Sequence, residues 1–415
     1  MILPKQQENL TKSLDELLTE ITTPKEDGLL AAPGCTVGVT NEKKNIYLNS
    51  KGVRNLNDPV PVKNDDTYAY FSCTKSITVM GALILYEQGK IKLDEPVSSY
   101  FPDIEKIGQL EPKSIDKKTG KFIKPLLKPK TSITVKHLIT HTSGFSYGFI
   151  HPDYFTLITK GEKLDPVNPT MEFFYKKTPL VFEPGSAWMY GHSIDFLGFL
   201  IEKVAGMKLG EFLKQNIFDV IGMNKCTFHK KNFEDQVRVH YRKQDESLKL
   251  QEKFGLSLDP NLDLGGQGCF GTVGDYLKFM RVWLNYGYSP DANKRILNKS
   301  TVEFAIRNHL PDHIPLDFIG LAHNYIDEDE NPDRKNDGWT LTGNAYCSND
   351  LPTGRPQGSI YWGGFANLAY WMDFKNKIAG FYAVQVLPYM DEYNVEYIGK
   401  FETLVYDNLC DTSKL

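Results

Sequence analysis

Ser72-Cys73-Thr74-Lys75 sets a hydroxyl and an ammonium three residues apart. On a helix, residues at that spacing share a face, so the two side chains would lie side by side. A serine in the first turn also gains from the positive end of the helix dipole, which favours a developing alkoxide. Ile77, Val79 and Met80 follow, and a lysine desolvated by such apolar neighbours has a lowered pKa and can take the serine's proton. The pattern itself is weak, because Ser114-Ile115-Asp116-Lys117 repeats it. That second copy sits among lysines with no apolar helix behind it. It lacks the desolvation the chemistry needs, so context selects the first.

Two more stretches could serve the same chemistry. Tyr190-Gly191-His192-Ser193 follows Phe182-Glu183-Pro184-Gly185-Ser186. A phenol beside a serine–lysine pair can act as a second general acid or base, its pKa lowered by the lysine's charge. Taken alone, one tyrosine among 22 is more often core or surface than catalytic. Tyr361-Trp362-Gly363-Gly364-Phe365 falls on an expected strand, where paired glycines admit a substrate close to the backbone and a following N–H can point at an oxyanion. The commoner meaning of Gly-Gly in a strand is a bulge or tight corner. No His-Glu-x-x-His pair occurs, which disfavours a zinc hydrolase. No cofactor is expected.

The elements that must position these groups follow from periodicity. Leu10, Leu14, Leu17, Leu18 and Ile21 mark one helical face. Two strand-like runs, residues 35–40 and 45–49, flank Asn41-Glu42-Lys43-Lys44 and predict a hairpin. Residues 72–88 predict a buried helix closed by Gly89. Residues 135–140, 194–204 and 276–284 predict further helices, and residues 359–361, 368–374 and 378–386 predict strands rich in aromatic and branched residues. The seven lysines between Lys113 and Lys130 read as a solvated hairpin or loop, and Asp327-Glu328-Asp329-Glu330 with Asn331-Pro332 as a surface loop. Strands at both ends with helices between predict one α/β unit built from both termini, with a helical insertion.

The 415 residues carry 48 Lys+Arg against 52 Asp+Glu, a net charge of −4, with 41% apolar and 12% aromatic residues. Such a chain closes a sizeable core, and nothing in its balance points to nucleic acid. The longest uncharged run, Pro356 to Met372, is too short and polar for a membrane span. The N-terminal eight residues show no apolar core of a secretion signal. Six cysteines without a Cys-x-x-Cys pair read as a reduced compartment.

In family order, the chain resembles the serine β-lactamase-related family, in its esterase and transesterase branch, close to class C β-lactamases in layout. The resemblance rests on Tyr70-Phe71-Ser72-Cys73-Thr74-Lys75, Leu93-Asp94-Glu95-Pro96-Val97, His137 to Gly144, Phe182 to Gly185, Tyr190 to Ser193, Gly265-Gly266-Gln267-Gly268 with Thr272 to Tyr276, and Trp362-Gly363-Gly364. It runs from about Ala31 to Val386. It implies an α+β fold: an antiparallel sheet region from residues 1–95 and 265–415, a mostly helical region 96–264, and the active site between them. It further implies that Ser72 is acylated, that Lys75 is its base and that Tyr190 shuttles protons. The backbone N–H groups of Ser72 and Phe365 would form the oxyanion hole. His192, Trp362, Gly363 and Gly364 would contact substrate.

Two departures bear on the substrate. Where the family's β-lactamases and peptidases carry Lys-Thr-Gly, this chain has Trp362-Gly363-Gly364, and an indole walls an acyl chain but cannot pair a carboxylate. Lys118-Thr119-Gly120 precedes Tyr190 in the polar loop and is out of order. His192 stands where the family commonly has Asn. Both changes point to esters or thioesters, with a small-molecule acyl donor and acceptor. A β-lactamase or D-amino-acid peptidase is the alternative within enzymes, and a non-catalytic binding protein on the same fold is the alternative outside them. His141 and Cys73 read as structural. The tail, residues 411–415, ends in Ser413-Lys414-Leu415, the tripeptide read by the peroxisomal import receptor, which predicts a peroxisomal protein that is not secreted.

Overall fold

The computed structural model describes residues 3–26, 28–252, 254–316 and 337–410. The expected acidic loop at Asp327 to Glu330 and the tail Ser413-Lys414-Leu415 lie outside the described residues.

Pro4–Thr22 forms helix α1, with Leu10, Leu14, Leu17, Leu18 and Ile21 all buried on the face predicted. Strands β1, Gly34–Asn41, and β2, Asn45–Gly52, form the expected hairpin. From the other end of the chain come β3, Gly338–Trp339, β4, Ala345–Tyr346, β5, Ile360–Gly364, β6, Leu368–Asp373, and β7, Ile378–Ala383. The seven make one antiparallel sheet in the order β2-β1-β7-β6-β5-β4-β3. The N-terminal hairpin is therefore continued by β7 from the other end of the chain, with Gly38 opposite Phe381. Alternation along β7 sends neighbours to opposite faces. Tyr382 packs with α1 and the final helix, Glu392–Leu409, while Phe381 packs into the larger core.

That larger core is organised by α2, Thr74–Glu87, whose residues 74–85 are all buried. A helix apolar all round belongs inside a protein, and Gly89, at φ 69°, ends it in the left-handed region glycine tolerates. Helix α3, Val135–Ile139, and helix α4, Ser193–Ala205, pack against each other, and α4 packs against α2. Helix α5, Val273–Leu284, covers β1, β6 and β7. Residues 240–250 add a small hairpin that pairs with Val386–Leu387 beside the main sheet. The lysine-rich stretch is held by bridges Gln109↔Leu127 and Ile115↔Phe122. Among the described residues no helix is long and apolar enough to cross a membrane.

Candidate active site

The chain reaches Ser72 through a backbone conformation that side chains seldom adopt. Phe71, buried and bulky, has φ 46°, and such strain in a non-glycine residue clusters where a reactive group is presented. A 3-10 turn, Phe71–Cys73, then leads into α2, with the Cys73 N–H bonded to the Tyr70 carbonyl at 3.1 Å. The turn leaves Ser72 partly exposed at the start of α2 while Cys73 and Lys75 are buried.

Lys75 Nζ has three oxygens around it: Gly266 O at 2.7 Å, Tyr147 OH at 3.1 Å and Ser72 Oγ at 3.3 Å. The Gly266 carbonyl can only accept, so one N–H is committed to it, and the Tyr147 oxygen can take a second. A neutral amine in this setting directs its lone pair at Ser72. Burial drives the lysine in that direction, lowering its pKa to about 7, against a smaller opposing pull from the charge of Asp195. Ser72 thus faces a buried amine whose pKa is brought down toward neutrality.

Tyr190 joins the same cluster. Its hydroxyl accepts a 3.0 Å bond from Trp362 Nε1. The expectation that lysine would lower this phenol's pKa is corrected by the structure: burial pushes it up, and the bond from Trp362 opposes that only in part. Lys75 Nζ sits over the Tyr190 ring, 4.5 Å from its centroid, but with its own pKa brought down to about 7 it has given up its charge before a buried phenol ionises. Tyr190 is a neutral O–H, able to give a proton and recover it.

Of the other residues singled out from the sequence, Trp362 touches Tyr190, and Gly364 brings the end of β5 against the nucleophile's turn. A Cβ on Gly364 would fall 2.6 Å from the Tyr70 carbonyl, and one on Gly363 would fall 2.4 Å from Leu368 O. Both glycines therefore have a packing reason. Phe365 follows directly, its ring 6.2 Å from that of Phe71 and 5.3 Å from the exposed Phe149. His192 is buried, with Nδ1 held 2.9 Å from Asp195 Oδ2 and its ring edge-on to Tyr147 at 4.5 Å. His141 lies behind Tyr190 at 4.8 Å, kept neutral by burial. Lys118-Thr119-Gly120 forms a turn capped by Asp116, with Gly120 close to Lys160.

Sequence reasoning missed Tyr147 and Asp195. Tyr147 lies three residues beyond the His-Thr-Ser-Gly stretch, and Asp195 three beyond His192 on the same helix. Neither position stands out until tertiary packing brings it to Lys75.

A family model described as Beta-lactamase matches residues 24–403. Monacolin J acid methylbutanoyltransferase of Aspergillus terreus is 26% identical over 395 residues, covering 90% of this chain and 91% of that protein. Lovastatin esterase of Penicillium rubens is 30% identical over 358 residues, covering 83% and 86%. Among solved structures, the LovD6 mutant of simvastatin synthase from Aspergillus terreus superposes with a TM-score of 0.77 at 25% identity, covering 97% of this chain and 94% of that one. Matched across almost its whole length and grouped with acyltransferases and an esterase, the chain belongs to the beta-lactamase family, as a serine-type esterase or acyltransferase.

Proposed function

We propose that Ser72 Oγ attacks an ester or thioester carbonyl and carries the acyl group to an alcohol acceptor or to water. Lys75 takes the hydroxyl proton as the carbon–oxygen bond forms. Tyr190 delivers a proton to the departing oxygen or sulfur, then accepts one from the incoming acceptor, while Lys75 returns its proton to Ser72 Oγ as the acyl–serine bond breaks. The Ser72 and Phe365 N–H groups receive the oxyanion. The approach of Gly364 to Tyr70, which draws the two chain segments together, supports that assignment. The single observation that carries the reading is a fully buried lysine, with a pKa near 7, in contact with a serine at a helix start.

The wall beside the nucleophile is aromatic: Trp362, Phe365, Phe149 and Phe71. It favours a bulky apolar acyl or acceptor group over a β-lactam carboxylate, in keeping with relatives named for methylbutanoyl transfer and for lovastatin. Ser413-Lys414-Leu415 directs the protein to peroxisomes, where acyl-CoA thioesters are available as donors. A fluorescent fusion should lose peroxisomal import when Leu415 is removed; unchanged import without it removes that assignment. For the chemistry, intact-protein mass after brief exposure to a chromogenic short-chain ester should show one acyl adduct on wild type, none on Ser72→Ala, and a burst of released phenol. A serine-independent adduct, or no adduct at any chain length, overturns the reading.

A further inference from the structure

Asp195 is fully buried and occupies the third position of the first turn of α4. An acid there ordinarily serves its own helix's end. This one spends both oxygens elsewhere. Oδ2 takes a bond from His192 Nδ1 at 2.9 Å, and since a carboxylate only accepts, Nδ1 carries the proton. Oδ1 takes the backbone N–H of Gly266 at 2.8 Å, from a segment 71 positions away. The carbonyl of that same Gly266 receives Lys75 Nζ.

The Gly265–Gly266 pair is pinched between α2 and α4. A Cβ on Gly266 would fall 2.7 Å from Asp195 Oδ1, and one on Gly265 would fall 2.7 Å from the Ile194 carbonyl. Thr78 Oγ1, one helical turn beyond Lys75, donates to the Gly265 carbonyl at 2.8 Å. Only glycines pass here, and their peptide is clamped on one side by Asp195 and on the other by the helix that carries the base.

We propose that Asp195, held by His192, is the positioning residue of the general base: it locks the Gly266 carbonyl onto Lys75 and supplies the buried negative charge that holds the lysine's proton against desolvation. This inference rests on Lys75 acting as the base for Ser72. Of the groups facing the lysine, Asp195 exerts the largest pull toward the charged form, with Cys73 behind it. Burial keeps Cys73, Tyr147 and Tyr190 protonated and His141 neutral, and Ser72 is a hydroxyl. Asp195 acts on Lys75 in the direction that retains its proton. His192 matters because its Nδ1 holds Oδ2 at 2.9 Å, which fixes the carboxylate with Oδ1 on the Gly266 N–H.

The test is the pH dependence of Ser72 acylation by a chromogenic short-chain ester, read as phenol burst and intact mass, in wild type, Asp195→Asn, His192→Asn and His192→Phe. Wild type should show an acid limb near pH 7. An Asn at 195 still accepts the Gly266 N–H but carries no charge, so its limb should move down by about one pH unit. Asn at 192 keeps a donor and should leave the limb in place, while Phe at 192 should move it down as Asp195→Asn does. A limb unmoved in Asp195→Asn, whatever the plateau, makes Asp195 a structural clamp only and overturns the proposal. Should that variant not fold, an unmoved limb in His192→Phe overturns it equally. Failure of wild type to acylate at Ser72 is a different result and removes the underlying reading of Lys75.

Discussion

The chain carries Ser-x-x-Lys twice, and the two stretches share little beyond their letters. In the first, a helix brings Lys75 to Ser72 at 3.3 Å and buries the lysine completely. In the second, Asp116 turns the backbone, with the Gly120 N–H bonded to the Asp116 carbonyl and Ile115 bridged to Phe122. Without a helix, positions three apart share no face. Lys117 has a side chain 56% exposed and pairs with Asp153, and Ser114 is buried away from it with no partner for its hydroxyl among the described residues. One stretch has its amine where water cannot solvate the charge, and the other has it in bulk solvent. Desolvation plus helical geometry is what sets a buried, low-pKa lysine against a serine in one copy and not in the other.

The widest gap between the two copies should come from the serines. Ser72→Ala should lower turnover by on the order of 10⁴ or more and abolish the acyl adduct, while Ser114→Ala leaves both in place; steady-state rates and intact mass read both. Next come the lysines. Lys75→Met should cost about 10²–10⁴ in kcat, the usual worth of a general base, whereas Lys117→Met should leave kcat unchanged. Tyr190→Phe removes the relayed proton and should cost about 10². Tyr147→Phe removes only one acceptor of Lys75 and should cost less, so equal losses would break the assignment of roles.

The pH profile sharpens the same contrast. Lys75 must lose its proton to act, and its pKa is brought down to about 7, so kcat/KM should rise with pH through an acid limb near that value. Lys117→Met should leave the limb where it is. The smallest effect is on stability. Replacing a buried amine with an apolar chain of similar length should raise the unfolding free energy of Lys75→Met by about 1 kcal/mol or more, the usual trade between function and stability. Losing the exposed Lys117–Asp153 pair should change it by less than about 1 kcal/mol. Chemical denaturation of both variants measures the difference.

Local signals were legible wherever one element decides its own fate. The leucine stripe of α1, the hairpin of β1 and β2, the apolar run of α2 with its closing glycine, and the aromatic strands near the C-terminus all read from spacing alone. The site was legible in its ordered pieces, Ser72, Lys75, Tyr190 and Trp362, which the fold brings into one cluster. The tyrosine's electrostatics were not, because the burial that raises its pKa and strips the charge from Lys75 comes from segments that tertiary packing brings together.

What residue order settled was chemical identity: a serine and a lysine three positions apart, an apolar run behind them, and an indole at Trp362 before paired glycines. What packing alone decided was the company the lysine keeps. Tyr147 comes from 72 positions away and the Gly266 carbonyl from 191, and Asp195 reaches that glycine across a further 71. Hydrogen bonds and burial act through space at about 3 Å, and no local period in a chain encodes which distant segment will arrive there. The lysine's pKa is therefore a property of the folded core.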